Sequence, residues 1–291
     1  MNDDPVAALI AQHRLPGTYR MVVDRYWRPL ADEIARQTDR KNPVIVGING
    51  AQGSGKSTLC AFLEVLLDEH GLKAATLSLD DLYLGKADRQ RLAEQVHPLF
   101  ATRGVPGTHA PARGLAIFDD LAAGRNLALP RFDKGTDEPL NVTERIEGPV
   151  DVLLFEGWCV GCPPQADMDL LQPVNRLEQG EDSDGVWRSV ANIWLKGDYA
   201  ALFARLDLLV MLAVDGFDAV LANRQRQEDR LRATRPDAPG LMDQAALARF
   251  CQHYERLTRH MLAALPDQAD IVFRIGPDQT PHGPVKGLAS G

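Results

Sequence analysis

Between Gly50 and Thr58 the chain reads Gly50-Ala51-Gln52-Gly53-Ser54-Gly55-Lys56-Ser57-Thr58: three glycines, a lysine and three hydroxyl side chains at the spacing G-x-x-x-x-G-K-[ST]. Each residue type has a chemical reason. Glycines let the backbone curl until successive N–H groups point inward at a polyphosphate. Lys56 is placed to reach the β- and γ-phosphates, and the Ser57 hydroxyl to take a position on Mg²⁺. A glycine-rich turn without chemistry is the alternative, but the flanks agree with the motif. An apolar run from Val44 to Ile48 precedes it, and a periodic apolar run begins at Leu59. Strand, loop and helix follow in order, and the helix adds unpaired N–H groups and the positive end of its dipole. Residues 50–58 therefore read as a site for a nucleoside triphosphate, with ATP and Mg²⁺ as the expected cofactors.

Further carboxylates and cations stand where such a site needs them. Asp80 and Asp81 follow the apolar run Ala74 to Leu79, and Glu156 follows Val150 to Phe155. P-loop enzymes keep a second Mg²⁺-directed acid at the latter position, so Ser57 and Glu156 are the candidate metal ligands. A carboxylate near the γ-phosphate can take the proton of an attacking hydroxyl, which makes Asp80 the candidate base. An Asp-Asp pair at a strand end also serves as a helix cap or a turn. Its company here, a P-loop and a second acid, favours the catalytic role. Arg224, Arg226, Arg230, Arg232 and Arg235 crowd one stretch with Glu228 and Asp229. That pattern fits a solvated helix face laced with i,i+4 pairs, or a lid whose arginines close on the transferred group. Arg230 is the lid candidate. Cys159 and Cys162 form a C-x-x-C, but no second pair or nearby histidine completes a zinc site, and Pro163-Pro164 points to a loop.

The elements that position these residues alternate. Apolar β-branched runs at 44–48, 74–79, 150–155, 208–214 and 271–275 read as strands, and periodic segments between them as helices, including 56–69, 89–96, 115–123, 218–232 and 242–265. Such alternation predicts an α/β fold, a P-loop NTPase-type three-layer sandwich with a mostly parallel sheet. Ligands then sit at the carboxyl ends of the strands. Two amphipathic helices, 5–13 and 18–37, precede the first strand, and Pro29 is a candidate kink in the second. The acidic stretch 165–185, broken by Pro173, Gly180 and Gly185, is expected as surface loop with some helix. The organisation expected is a helical N-terminal extension (1–40), a P-loop kinase domain with a helical lid (41–277) and a flexible tail (278–291).

Composition bounds the partners. The 291 residues are 45% hydrophobic and 25% charged, ordinary values for a globular chain. The net charge of −8 and the lack of a polybasic run disfavour nucleic acid or an anionic membrane as partner. No stretch approaches the ~20 apolar residues of a membrane span. The N-terminal MNDDPVAALIAQHR lacks the basic flank and apolar core of a signal peptide, so a cytoplasmic location is expected.

Several further stretches carry a resemblance. SLDDLYL (78–84), RGVPGTH (103–109), LPRFDK (129–134), LLFEGW (153–158) and NRLEQGEDSDGVWR (175–188) together resemble the D-glycerate 3-kinase family. That family is a branch of the P-loop kinases that includes uridine kinase, phosphoribulokinase and pantothenate kinase. The resemblance covers roughly residues 40 to 275. It implies MgATP-dependent phosphorylation of the 3-hydroxyl of D-glycerate to 3-phosphoglycerate. Asp80 aligns with the aspartate that activates the acceptor hydroxyl in the relatives, and Glu156 with their Mg²⁺-associated acid. Arg131 and Asp133 lie in the segment that lines the relatives' acceptor site. The chain departs from the family at one place: the usual RGxPGTHD ends here in Ala110-Pro111.

The acceptor class makes its own demand. Glycerate is a carboxylate, and burying one requires a cationic or multiply donating partner. Arg103, His109, Arg131 and Lys134 are the candidates, with Arg131 the expected clamp, and Asp81 and Tyr83 are placed beside them. The readings carried forward are a D-glycerate kinase, a kinase of another hydroxylated metabolite (pantothenate-, uridine- or sugar-like), and a P-loop NTPase that is not a kinase. No N-K-x-D motif of a guanine-nucleotide switch is present.

Overall fold

The computed structural model describes residues 4–38, 42–234 and 241–288. Its centre is a sheet of β1 (Val44–Gly50), β2 (Ala74–Ser78), β3 (Val152–Gly157), β4 (Leu208–Val214), β5 (Ile271–Ile275) and β6 (Pro281–Lys286). The order is β6-β5-β4-β1-β3-β2, with β1 to β5 mutually parallel and β6 antiparallel at the edge. β1 and β3 are buried along their whole length, as the apolar runs of a parallel sheet covered on both faces must be.

The faces of the sheet feed two cores. Val44, Val46 and Ile48 point to one and Ile45 to the other, following the period of two along a strand. The first core takes α1 (Pro5–Gln12), the helix α2 (19–37) and α3 (Lys56–Glu69). The second takes α5 (Pro111–Ala122) and the helix α7 (186–203). Between them in sequence lie α4 (Lys86–Gln95) and the short α6 (Arg176–Glu181); α8 (Phe217–Thr234) and α9 (Gln244–Gln268) follow β4. The α9 helix supplies Leu247 and Cys251 to the first core and Met261 and Leu265 to the second. The expected three-layer α/β sandwich is the observed fold.

Pro29 neither ends nor splits its helix. A π turn over Val23–Trp27 stands just before it, and a widened turn relieves the clash of a proline ring with the preceding carbonyls. The N-terminal helices pack directly on the sheet, with the Trp27 and Phe273 rings edge to face at 5.2 Å. Two expectations are corrected. The acidic 165–185 stretch is not simply surface, because Glu178 and Asp182 are fully buried. The tail expected from 278 onward contains β6, whose Pro281 pairs with Ile275. Among the described residues, no helix is long and apolar enough to cross a membrane.

Candidate active site

The P-loop joins β1 to α3, whose N-cap is Gly55. Gly53 adopts a left-handed φ of +75°, and a Cβ there would lie 2.8 Å from that of Asn223 on α8. Glycine is thus required twice over, by backbone and by contact. Two side chains from distant elements hold the Gly53 carbonyl: Asn223 Nδ2 donates at 3.4 Å and Gln279 Nε2, from the β5–β6 turn, at 2.7 Å. Lys56 Nζ donates to the carbonyls of Gly50 (2.7 Å) and Ala51 (3.3 Å). Ala51 and Ser54 are buried, Gln52 and Thr58 half-buried.

Glu156 is the penultimate residue of β3 and pairs in register with Ile48 of β1 and Ser78 of β2. Ser57 Oγ donates to its Oε1 at 3.1 Å. The two expected metal ligands therefore meet although they are 99 residues apart. A hydroxyl and a carboxylate are the hard oxygen donors that Mg²⁺ takes, so the pair fits that ion.

Asp80 and Asp81 sit in a 3₁₀ turn, Leu79–Leu82, entered through the cap residue Ser78. Their roles divide. The Asp81 carboxylate accepts from the N–H groups of Ser78 (3.3 Å) and Phe132 (3.2 Å) and from Arg131 Nη1 (2.8 Å), so it builds the loop. Asp80 instead pairs with Lys134 Nζ at 2.6 Å. Burial pushes the Asp80 carboxyl up, but the Lys134 ammonium and the Tyr83 hydroxyl more than reverse this and leave it below its ordinary value.

Arg131 is not a free clamp. Its Nε and Nη2 donate to Glu144, and its Nη1 to Asp81; both Nη atoms also reach the Thr76 carbonyl. Asp133 closes its own turn, accepting from Gly135 N–H and the Thr136 hydroxyl at 2.8 Å each. Arg103 pairs with Asp137 and lies over the Phe132 ring. Asp137 also takes Arg89 Nη2 at 2.7 Å, and Arg89 is only 2% exposed. Burial pushes the Asp137 carboxyl up, and the two guanidiniums overcome it, leaving it below its ordinary value. Of the cations expected on the acceptor side, Lys134 keeps the freest head.

His109 is buried and stacks on Tyr83 with centroids 4.3 Å apart. Its Nδ1 lies 2.6 Å from the Tyr199 hydroxyl, and its Nε2 has no partner among the described residues. Burial pushes the imidazole down to about 3, so it is neutral near pH 7. The preceding loop is pinned by large side chains from three elements. The Trp158 indole donates to Gly104 O (3.1 Å), the Tyr254 hydroxyl to Arg103 O (3.0 Å), and Gly107 N–H to Tyr199 (3.1 Å). A Cβ on Gly107 would stand 1.8 Å from Trp194. Ala110, the departure from the family pattern, occupies the N-cap of α5 and makes no side-chain cap bond. Its position is that of a helix cap.

On α8, Arg224 reaches Gln227 at 2.7 Å and lies over the Phe250 ring, and Arg226 bonds Asn223. Arg232 donates to Met242 O at 2.8 Å. The Arg230 side chain and all of Arg235 lie outside the described residues. Cys159 and Cys162 are buried, and burial raises both thiols, so neither is a ready thiolate.

Sequence reasoning missed the two side chains on the Gly53 carbonyl, for which Asn223 and Gln279 carry no local signal. It also missed that Glu178 forms a buried pair with Arg256, whose Nε and Nη2 donate at 2.7 Å each. The Glu178–Arg256 pair fixes the 165–194 segment against α9, which carries Tyr254 to the RGVPGTH loop, while Asp182–Arg188 (2.8 Å) braces that segment internally.

No family model matches the chain. An uncharacterised kinase of Schizosaccharomyces pombe is 30% identical over 237 residues, 73% of this chain and 78% of that protein. The chloroplastic D-glycerate 3-kinase of Arabidopsis thaliana is 26% identical over 245 residues, 78% of this chain but 50% of that longer protein. Among solved structures, D-glycerate 3-kinase of Cryptococcus neoformans superposes with a TM-score of 0.74 at 22% identity, covering 91% of this chain and 98% of its own. At that identity the likeness speaks for the fold.

Proposed function

The chain belongs to the D-glycerate 3-kinase family of P-loop kinases, and from that premise we propose that it transfers the γ-phosphoryl group of MgATP to the 3-hydroxyl of D-glycerate, giving 3-phosphoglycerate and ADP. One observation carries the reading. Glu156 pairs in register with both Ile48 and Ser78, so the P-loop, the Ser57–Glu156 pair and Asp80 stand at the carboxyl ends of three adjacent strands. That is where a parallel sheet presents its ligands.

In this reading the P-loop amides and Lys56 hold the β- and γ-phosphates, Lys56 leaving its present carbonyl partners to do so. Ser57 and Glu156 would hold Mg²⁺, partly through water, and the bound ion would neutralise charge on the phosphoryl oxygens. The acceptor oxygen forms its bond to the γ-phosphorus as the bond to the bridging oxygen breaks, and ADP departs with that electron pair. Asp80 takes the hydroxyl proton. The protein's contribution is alignment of donor and acceptor together with preplaced charge. A cytoplasmic location belongs to the same reading.

The test is ADP release with MgATP against D-glycerate, L-glycerate, pantothenate, uridine and ribulose 5-phosphate, with a control lacking acceptor. Turnover on D-glycerate is expected. Silence there with turnover on another acceptor keeps the kinase and discards the substrate. Release that ignores every acceptor discards the transfer reaction.

A further inference from the structure

Three acid–cation groups lie on the acceptor side, and they differ in how firmly they are held. The first is Asp81 with Arg131 and Glu144, where Asp81 also accepts two main-chain N–H groups. The second is Asp137 with Arg89 and Arg103, where Arg89 further donates to the carbonyls of Leu84 and Ala101 at 3.1 Å each. Both are multiply bonded and belong to the scaffold. The third is Asp80 with Lys134 as its one cation, helped only by the Tyr83 hydroxyl.

Lys134 sits in the turn of a tight hairpin closed by Asp133, with Phe132 pairing Pro139 across it. Its backbone is fixed, while its side chain is 61% exposed. An ion pair so open to water contributes little, so a second carboxylate in reach competes for the ammonium at small cost. The other acceptor-side cations have stronger partners, and His109 is neutral near pH 7. A carboxylate entering here finds one cation whose existing bond is cheap to exchange.

We propose that Lys134 is an exchangeable partner: it holds Asp80 while the acceptor site is empty and passes to the carboxylate of the entering acceptor, which frees Asp80 to receive the hydroxyl proton. Binding of the acid group and readiness of the base are then one event. An acceptor without a carboxylate leaves Asp80 locked in its ion pair, so Lys134 selects for hydroxy acids by withholding the base from other alcohols. The inference rests on the kinase reading above and adds how the site chooses its substrate class.

The test compares the intact wild-type chain with Lys134→Met and Lys134→Arg, using D-glycerate and its neutral amide, D-glyceramide, as acceptors. The expected result is a rise of about 10- to 100-fold in KM for D-glycerate in Lys134→Met, the size of a lost charged hydrogen bond, with KM for ATP unchanged. Preference for the acid over the amide should collapse in Lys134→Met and return largely in Lys134→Arg. The acid limb of kcat/KM should also move to higher pH in Lys134→Met, because Asp80 loses the ammonium that holds it down. The groups that face Asp80 are Lys134, His109 and Tyr83, with Tyr254 and Cys159 feeling its charge; Lys134 is the one removed. Unchanged acid-over-amide preference in a Lys134→Met enzyme that still turns over D-glycerate overturns the exchange and leaves the kinase reading standing. If the wild type uses another carboxylated acceptor, the same comparison is made with that acid and its amide. A wild type that phosphorylates only acceptors without a carboxylate overturns both.

Discussion

Around the P-loop, the groups offered to a ligand are a run of main-chain amides, one lysine and a Ser57–Glu156 pair 3.1 Å apart. Across the same edge of the sheet, residues 78–139 offer side chains already bonded to one another: Asp81 to Arg131, Asp137 to Arg89 and Arg103, Asp80 to Lys134. The donor side depends on backbone shape and on two side chains that grip the Gly53 carbonyl. The acceptor side depends on a charge network in which most members serve the loops and few serve a substrate. Polyphosphate is the same for every kinase, and a backbone cradle suffices for it. Acceptors differ, and discriminating among them takes side chains held at defined places.

Substitutions should separate the two sides. Asp80→Asn removes the proposed proton acceptor while keeping the side chain's shape, and turnover should fall by about 10²- to 10⁴-fold with ATP affinity nearly intact. Steady-state kinetics with ATP binding measured by titration checks this, and wild-type turnover would refute the base. Asp137→Ala leaves the buried Arg89 guanidinium without its carboxylate and should cost about 3 kcal/mol of stability. In denaturant unfolding and kinetics together, the midpoint should fall and KM for the acceptor should rise, while KM for ATP stays put. A parallel rise in KM for ATP would mean that the two sides are not independent.

Acidification probes the acceptor side from another direction. His109 is held neutral in the fold, down to about 3, whereas an unfolded histidine titrates near 6.5. The folded value is depressed, so the stability is complete above the unfolded value and is lost as pH falls toward the folded one, at about 1.4 kcal/mol per unit for this group. Unfolding midpoints between pH 7 and 5 should therefore decline in the wild type and decline less in His109→Gln. Equal slopes would show that the buried ring takes up a proton. The smallest effect belongs to Ala110→Asp, which should give α5 a cap and add about 1 kcal/mol by thermal unfolding with activity unchanged. A change in acceptor preference would instead place that position in the acceptor site.

The parts legible in the sequence were those set by local pattern. Leu208–Val214 stands where the apolar run puts it, since a strand covered on both faces has no polar positions to blur its ends, and Ile271–Ile275 stands there too, its one exposed residue, Arg274, lying inside the run. Lys56–Glu69 begins at the motif's lysine. That Ser57 and Glu156 meet was legible because strand ends in a parallel sheet converge, so their approach can be inferred without long-range contacts. The bonds that Arg131 already makes were hidden because its partners Glu144 and Asp81 lie 13 and 50 residues away and nothing local announces them. The same distance hid Glu178, whose partner Arg256 is 78 residues on, behind an acidic stretch that looks solvated. Pairing between distant segments is the information that periodicity and spacing lack.

The β6 strand has a consequence for how the molecules behave toward one another at high concentration. A sheet edge exposes a ladder of unused donors and acceptors that a second chain can extend, which is how strand-to-strand aggregation begins. Here the last strand carries Pro281 and Pro284, which have no N–H, and ends at Lys286; its register against β5 slips twice within its length. A neighbour laid alongside would meet missing donors, a broken repeat and a charge. The edge reached through the turn that bears Gln279 is thereby also a stop, blocking growth of the sheet from that end into a fibril-like stack.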